Sequence, residues 1–255
     1  MAKVGMLLDP DLCTGCRACQ VACKLWNKLE FVPTQNTGSY ENPPSLGKDV
    51  WRRIKFIEQG EGNGFKWLFK QERCLHCTNA TCVTVCPAPG ALTYQDNGVV
   101  YLDQKKCIGC RFCEQTCPFE IPQYDPVTQK AYKCTFCIDR VTNGLQPSCA
   151  ATCPTGAIEF YWNRDKLISV AKKRAGGRRL YGATMDELGL QVMYLLPETA
   201  GSYDLPEKPA VPAGVAAWKG GLKSFAKWGI GLSVAAAALH YITIGPNEVE
   251  EGGEG

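Results

Sequence analysis

The chain has 255 residues, enough for one large or two smaller domains, and its 45% apolar content is ordinary for a globular protein. A formal net charge of +3 is too small for nucleic acid to be the main partner, because such binders carry a strongly basic footprint. The oddity is the 16 cysteines.

The N-terminus, MAKVGMLLDPDLC, has one lysine but no long apolar run and no small-residue cleavage site, so it does not read as a secretory signal. A disulfide scaffold is disfavoured on that ground, and because such scaffolds mostly fall under about 80 residues. The first cysteines, Cys13, Cys16, Cys19 and Cys23, are spaced C-x-x-C-x-x-C-x-x-x-C. Zinc usually takes its thiolates from two C-x-x-C pairs separated by a longer loop. Three evenly spaced thiols with a fourth close behind are instead the run of a bacterial two-cluster ferredoxin, whose fourth cysteine serves the other cluster. The reason is shape: a short loop wraps three corners of an iron–sulfur cube, and a helix starting at the third cysteine carries the next thiol toward a neighbour.

Leu25 to Val50, with Pro33, Pro43, Pro44 and several aromatics, reads as an ordered insert. WRRIKFIEQ (51–59) and FKWLFKQ (65–71) flank EGNG and predict a hairpin. A second quartet follows, Cys74, Cys77, Cys82 and Cys86, with His76 inside it. ALTYQ (91–95) and VVYLD (99–103) flank Asp96-Asn97-Gly98, a hairpin signal in which glycine supplies positive φ. The third quartet, Cys107, Cys110, Cys113 and Cys117, repeats the first: CIGCRFC answers CTGCRAC. The fourth, Cys134, Cys137, Cys149 and Cys153, has a long gap in the middle, so its loop must bulge. Prolines follow Cys86, Cys117 and Cys153, and no cysteine is left over. The expectation is an α+β fold in which residues 1–162 form two pseudo-repeated ferredoxin-like two-cluster units with inserts. Four 4Fe-4S clusters, more than a large apolar core, hold them together. If fourth ligands are exchanged within pairs, the outer quartets make one half and the inner quartets the other.

Residues 163–216 are expected to be a helix and a proline-rich linker. NRDKLISVAKKRAGG (163–177) has Asn163 or Asp165 near its cap and Gly176 at its end. KKRAGGRR (172–179) is either a solvated helix end or a docking patch for lipid headgroups or an acidic subunit. Residues 217–247 predict one transmembrane anchor. Trp228 to Asn247 carry no formal charge over about the length that crosses hydrocarbon at about 1.5 Å per residue. Trp218, Trp228 and Tyr241 fit interfacial positions, and Gly229, Gly231 and Ser233 suit packing on a partner's helix. Lys219, Lys223 and Lys227 precede this span and no Lys or Arg follows, which by the positive-inside rule puts the cluster domain in the cytoplasm. His240 lies within the span, and an acidic tail, 248–255, ends the chain.

No G-x-G-x-x-G, phosphate loop or H-E-x-x-H is present, so no catalytic site of its own is expected. Arg17, Lys24, Arg111 and Lys133 stand close to cysteines in sequence and could tune cluster potential.

The four quartets, with GSYENP (38–43), GNGFKWLFKQERCLHC (62–77), CPAPGAL (86–92), CPFEIP (117–122), YKCTFCIDRV (132–141), CPTGAI (153–158) and the tail HYITIGPN (240–247), carry a family likeness. The chain resembles the iron–sulfur (beta) subunits of the molybdopterin oxidoreductase family, above all those of N-type respiratory formate dehydrogenases. The likeness runs from Leu7 to Asn247. It implies that Cys13, Cys16, Cys19 and Cys153 bind one cluster, and Cys134, Cys137, Cys149 and Cys23 its neighbour. Cys74, Cys77, Cys82 and Cys117 would bind a third, and Cys107, Cys110, Cys113 and Cys86 a fourth. It further implies a molybdenum or tungsten pterin catalytic (alpha) subunit, a cytochrome b (gamma) membrane subunit that reduces quinone, contact with membrane lipid, and a cluster domain on the periplasmic side, against the lysine count. Other readings are the matching subunit of a polysulfide, thiosulfate or dimethyl sulfoxide reductase, a soluble polyferredoxin, and a zinc-ordered interaction protein.

Overall fold

The computed structural model describes residues 2–36, 38–217 and 223–244. The chain divides into two compact units, Met1–Val211 and Pro212–Gly255. In chain order the first unit contains β1 (Gly5–Leu8), α1 (Ala18–Trp26), the hairpin β2 (Arg52–Gln59) and β3 (Lys66–Arg73), α2 (Thr81–Val85), the hairpin β4 (Leu92–Tyr94) and β5 (Val100–Leu102), and α3 (Phe112–Gln115). The hairpin β6 (Gln123–Asp125) and β7 (Lys130–Tyr132) follows, then α4 (Ile138–Thr142), α5 (Ser148–Ala151), β8 (Ile158–Tyr161), α6 (Arg164–Arg174), β9 (Arg179–Tyr181) and β10 (Val192–Leu196).

A four-stranded sheet in the order β8-β1-β10-β9 closes the first unit. Its central strands, GMLL and VMYLL, are buried along their whole length and pair in parallel, with Met6 opposite Val192. Strand residues alternate between faces, and both faces here are covered. Leu7, Met193 and Leu195 pack on Leu167 and Ala171 of α6. Met6, Leu8, Val192, Tyr194 and Leu196 turn the other way, into a core that also contains Cys19 and Cys149. Residues 163–211 are therefore more than the helix and linker expected from sequence, since they supply two strands of this sheet. A short apolar run without alternation, such as VMYLL, does not reveal its strand character by periodicity.

The two predicted hairpins form, β2 with β3 and β4 with β5, both antiparallel. Gly98 takes φ +85° at the β4–β5 turn, where Asn97 Oδ1 accepts from the Val99 amide at 3.2 Å. Helix α6 begins as predicted, with Asn163 Oδ1 accepting from the Asp165 and Lys166 amides at 2.8 and 3.0 Å. The basic run after it is largely internal wiring. Arg174 pairs with Glu159, Arg178 with Asp9 and Asp11 at 3.0 Å, and Arg179 with Glu187 at 2.7 Å.

In the second unit, α7 (Ala213–Ala217) precedes α8 (Lys223–Ile244), a helix of 22 residues and roughly 33 Å. Phe225, Trp228, Leu232, Leu239 and Ile242 of α8 are exposed. Among the described residues no helix is long and apolar enough to cross a membrane. The crossing expected at 228–247 is thus not confirmed by the described part of this helix. Trp218, Lys219, the Gly245-Pro246-Asn247 end of that span and the acidic tail lie outside the described residues.

One backbone feature recurs in all four cysteine quartets. The residue just before the second cysteine is left-handed: Gly15 at φ +65°, His76 at +48°, Gly109 at +69° and Phe136 at +61°. Such a kink curls the C-x-x-C loop, and glycine reaches it at no steric cost, whereas His76 and Phe136 must be held there by their packing. At Gly109 an added Cβ would also lie 2.2 Å from the Gln129 carbonyl oxygen. Gly109→Ala is expected to lower stability by at least ~1–2 kcal/mol, read from the unfolding midpoint of the cluster-loaded protein. Gly47→Ala, with nothing within 4 Å of its added methyl, should change it by less than about 0.5 kcal/mol. Equal midpoints for the two variants would contradict this account of the loop.

Candidate metal centres

All sixteen cysteines are free, so the disulfide alternative is gone. The structure brings cysteines of different sequence quartets near one another. Cys13 and Cys16 lie on the loop after β1 and Cys19 in the first turn of α1. Burial, then the Cys19 and Cys153 sulfurs, pushes the Cys13 thiol up. Cys19 is raised by burial and has Cys149, Cys153 and Cys16 beside it. One helical turn on, Cys23 is raised by burial and by a different company: Cys134, Cys149 and Cys137. Residues four apart on a helix share a face one turn apart, so α1 delivers Cys19 to one group and Cys23 to the next. Helix α5 packs on α1 and returns the exchange, carrying Cys149 while the chain just beyond it brings Cys153 back.

The inner quartets repeat the arrangement with α2 packed on α3. Cys77 is raised well above the ordinary thiol range by burial, then by Cys74, Cys117 and Cys82. Burial pushes Cys117 up to about 11. Cys113 is pushed up to about 12 by burial and by Cys107, Cys110 and Cys86. Buried sulfurs crowded in this way do not all ionise by themselves, because each charge raises the cost of the next. A positively charged metal core inverts that logic and holds thiolates outright.

The surroundings suit such a core. Cys86, Cys107, Cys110 and Cys113 line one pocket together. Cys23, Cys134, Cys137 and Cys149 line another. Among the described residues no group of three or more His, Cys, Asp or Glu is placed so that it could hold a metal ion. N–H groups point at sulfur: Ala131 N at Cys107 (3.4 Å), Phe136 N at Cys134 (3.3 Å) and Asn27 Nδ2 at Cys23 (3.6 Å). Donor sets of four thiols around cavities, fed by N–H donors, fit 4Fe-4S cubes.

Of the cations that sequence adjacency suggests, Lys133 lies near a sulfur, that of Cys82. Arg111 is an exposed partner of Glu114 at 2.7 Å, Arg17 lies over the Phe56 ring, and Lys24 reaches the Asp49 carbonyl at 3.2 Å. Of the four expected, only Lys133 is buried, donating to the carbonyls of Val100 at 2.5 Å and Cys134 at 3.1 Å. Sequence reasoning missed Arg52 and Arg73. Both are fully buried, and Arg73 donates to Cys149 Sγ at 3.3 Å and Cys134 Sγ at 3.2 Å. Burial alone would raise the Cys149 thiol, but Arg52 and Arg73 overturn this and hold it below the ordinary value. Arg73 directly precedes Cys74, yet the strand's alternation aims it at sulfurs of another group. His76 is buried too; burial, then Lys133 and Arg73, keep it neutral well below the usual imidazole range. Its Nδ1 accepts from the Val100 amide at 3.2 Å, and its ring meets Phe136 edge-on at 4.9 Å.

Comparison with known proteins points to iron–sulfur domains as well. Residues 12–91 and 65–162 each match a family model described as "4Fe-4S dicluster domain". Residues 211–254 match "Formate dehydrogenase N, transmembrane", which associates the second unit with the membrane. The chain is 37% identical to the formate dehydrogenase-O iron–sulfur subunit of Escherichia coli over 98% of this chain and 86% of that one. It is 38% identical to the nitrate-inducible formate dehydrogenase iron–sulfur subunit of the same organism, over 97% of this chain and 87% of that one. It is also 36% identical to the formate dehydrogenase 2 subunit beta (cytochrome c-553) of Nitratidesulfovibrio vulgaris, over 77% of this chain and 94% of the other. With two dicluster matches and such identity over nearly its whole length, the chain belongs to the family of formate dehydrogenase iron–sulfur subunits.

Proposed function

We propose that this chain is the electron-transfer subunit of a membrane-associated formate dehydrogenase, holding four 4Fe-4S clusters in a row and catalysing nothing by itself. The first ligand set is Cys13, Cys16, Cys19 and Cys153, and the second Cys134, Cys137, Cys149 and Cys23. The third is Cys74, Cys77, Cys82 and Cys117, and the fourth Cys107, Cys110, Cys113 and Cys86. The observation that carries the row is how these sets share buried cores. Cys19 of the first and Cys149 of the second lie in one core. Cys134 of the second and Cys74 of the third lie in another, with Cys117 against it. Cys107 and Cys113 of the fourth lie in a third core, against which Cys77 and Cys82 pack. Successive sets thus share a core, which supports short tunnelling steps along the row.

When bound, such clusters supply one-electron transfer at potentials set by net charge, hydrogen bonds to sulfur and exposure. The chain's own part is to hold thiolates, aim N–H groups at them and keep water from the inner sets. Its partners in this reading are a molybdopterin catalytic subunit that oxidises formate and a cytochrome b subunit in the membrane. An exposed apolar row on α8, from Phe225 to Ile242, supports membrane association, since such surface marks contact with lipid or another helix. The proposal places the cluster unit on the periplasmic side, as export of a folded complex would; the lysines before Trp228 favour the cytoplasmic alternative.

Formate added anaerobically to the complex purified with its catalytic partner should bleach the brown absorbance and generate the paramagnetic signals of reduced clusters. A competent complex that stays oxidised in formate, but reacts with polysulfide or dimethyl sulfoxide, would reject the assignment. For the second unit, the full chain expressed without its partners should sediment with membranes, and a chain ending at Val211 should remain in the supernatant. Identical fractionation of the two would contradict the role given to α8.

A further inference from the structure

Hairpin β2–β3 places two arginines directly opposite one another, Arg52 against Arg73. Like charges so paired are destabilising in a sheet, and a buried charge without a partner is costly. The next residue shows how this chain satisfies a buried arginine elsewhere: Arg53, on the opposite face, pairs with Glu41 and Glu72. On the inner face, among the described residues, Arg52 and Arg73 have no carboxylate. Arg52 donates one bond, from Nη2 to Gln71 Oε1 at 2.8 Å. Its Nε and Nη1, the Nε of Arg73 and the Nε2 of Gln71 are buried donors without acceptors. The anions within reach are sulfurs. Arg73 Nη1 and Nη2 sit 3.3 Å from Cys149 Sγ and 3.2 Å from Cys134 Sγ, and Arg52 lies beside Cys19, Cys149 and Cys23.

Of the four sets, the second is the one whose four sulfurs are all buried. One-electron reduction, with the electron coming from a neighbouring cluster or an added reductant, adds one negative charge to an assembly that is already anionic. In a dry site that step is disfavoured, so burial alone would make this cluster the hardest to reduce. Fixed cations in hydrogen-bond contact with its sulfurs act in the opposite sense, and strongly, because little solvent screens them. We propose that Arg73, backed by Arg52, sets the reduction potential of the Cys23/Cys134/Cys137/Cys149 cluster, holding it high enough for the most buried member of the row to accept an electron. Arg73 acts here as a positioning and charge-supplying residue; it enters no bond-making step.

The inference rests on the four-cluster proposal, and the two fail separately. Wild-type complex without sixteen irons would sink the proposal. Sixteen irons with no response at Arg73 would sink the inference alone. The experiment is a redox titration of the intact complex followed by electron paramagnetic resonance, with the centre identified by the signal altered in Cys137→Ser. In Arg73→Gln its ratio of reduced to oxidised form at fixed potential should fall at least tenfold, a shift of ~59 mV for one electron. The fourth centre should stay within about twofold, and Arg73→Lys should recover most of the loss. A change below twofold in Arg73→Gln, or an equal change at all four centres, would overturn the inference. Should Arg73→Gln fail to retain sixteen irons, Arg52→Gln decides. It should lower the first and second centres together and leave the fourth in place; no shift at either would overturn the inference.

Discussion

Sulfur anions crowded into a dry interior repel one another, and the rest of this structure follows from how that repulsion is relieved. Burial raises most of the thiols whose values depart from the ordinary, and sulfur neighbours raise them further. Neither an apolar core nor surface water can undo this. A polycationic iron core can, which makes cluster binding and folding one equilibrium for the first unit. The crossing of quartets is the geometric expression of the same constraint. In the proposed ligand sets a helix that starts at one cube ends near another, so α1 with α5 and α2 with α3 would each exchange a ligand.

The sheet and the hairpin give that arrangement its permanence. Strands β1 and β10 come from opposite ends of the first unit and lie side by side, closing the outer half around its two sets. Hairpin β2–β3 then inserts Arg52 and Arg73 against the innermost sulfurs. A cluster row that must accept and release single electrons gains from such rigidity, because fixed dipoles and charges do not have to reorganise with each transfer.

Much of this was legible in the sequence, where the chemistry depends on spacing. The quartets, the two hairpins, the start of α6 and the doubling of the ferredoxin unit all follow from local patterns such as CIGCRFC, Asp96-Asn97-Gly98 and Asn163. What stayed hidden depends on contacts between distant segments. Nothing local marks GMLL and VMYLL as neighbours, and the sequence position of Arg73, next to Cys74, points to the wrong set of sulfurs. The cations judged close by adjacency, Arg17, Lys24 and Arg111, turn instead toward an aromatic ring, a backbone carbonyl and a glutamate. Helix α8 is a different kind of difficulty: its described residues fall short of a membrane span, while its exposed aromatic and aliphatic side chains and its family match point to the membrane.

The central claim is that 16 cysteines, taken four to a cube, hold cubes rather than single ions. Iron, acid-labile sulfide and zinc measured together on anaerobically isolated protein test it most directly. The account predicts sixteen irons and sixteen sulfides per chain with no zinc. Stoichiometric zinc, or iron far below sixteen after faithful reconstitution, would contradict it.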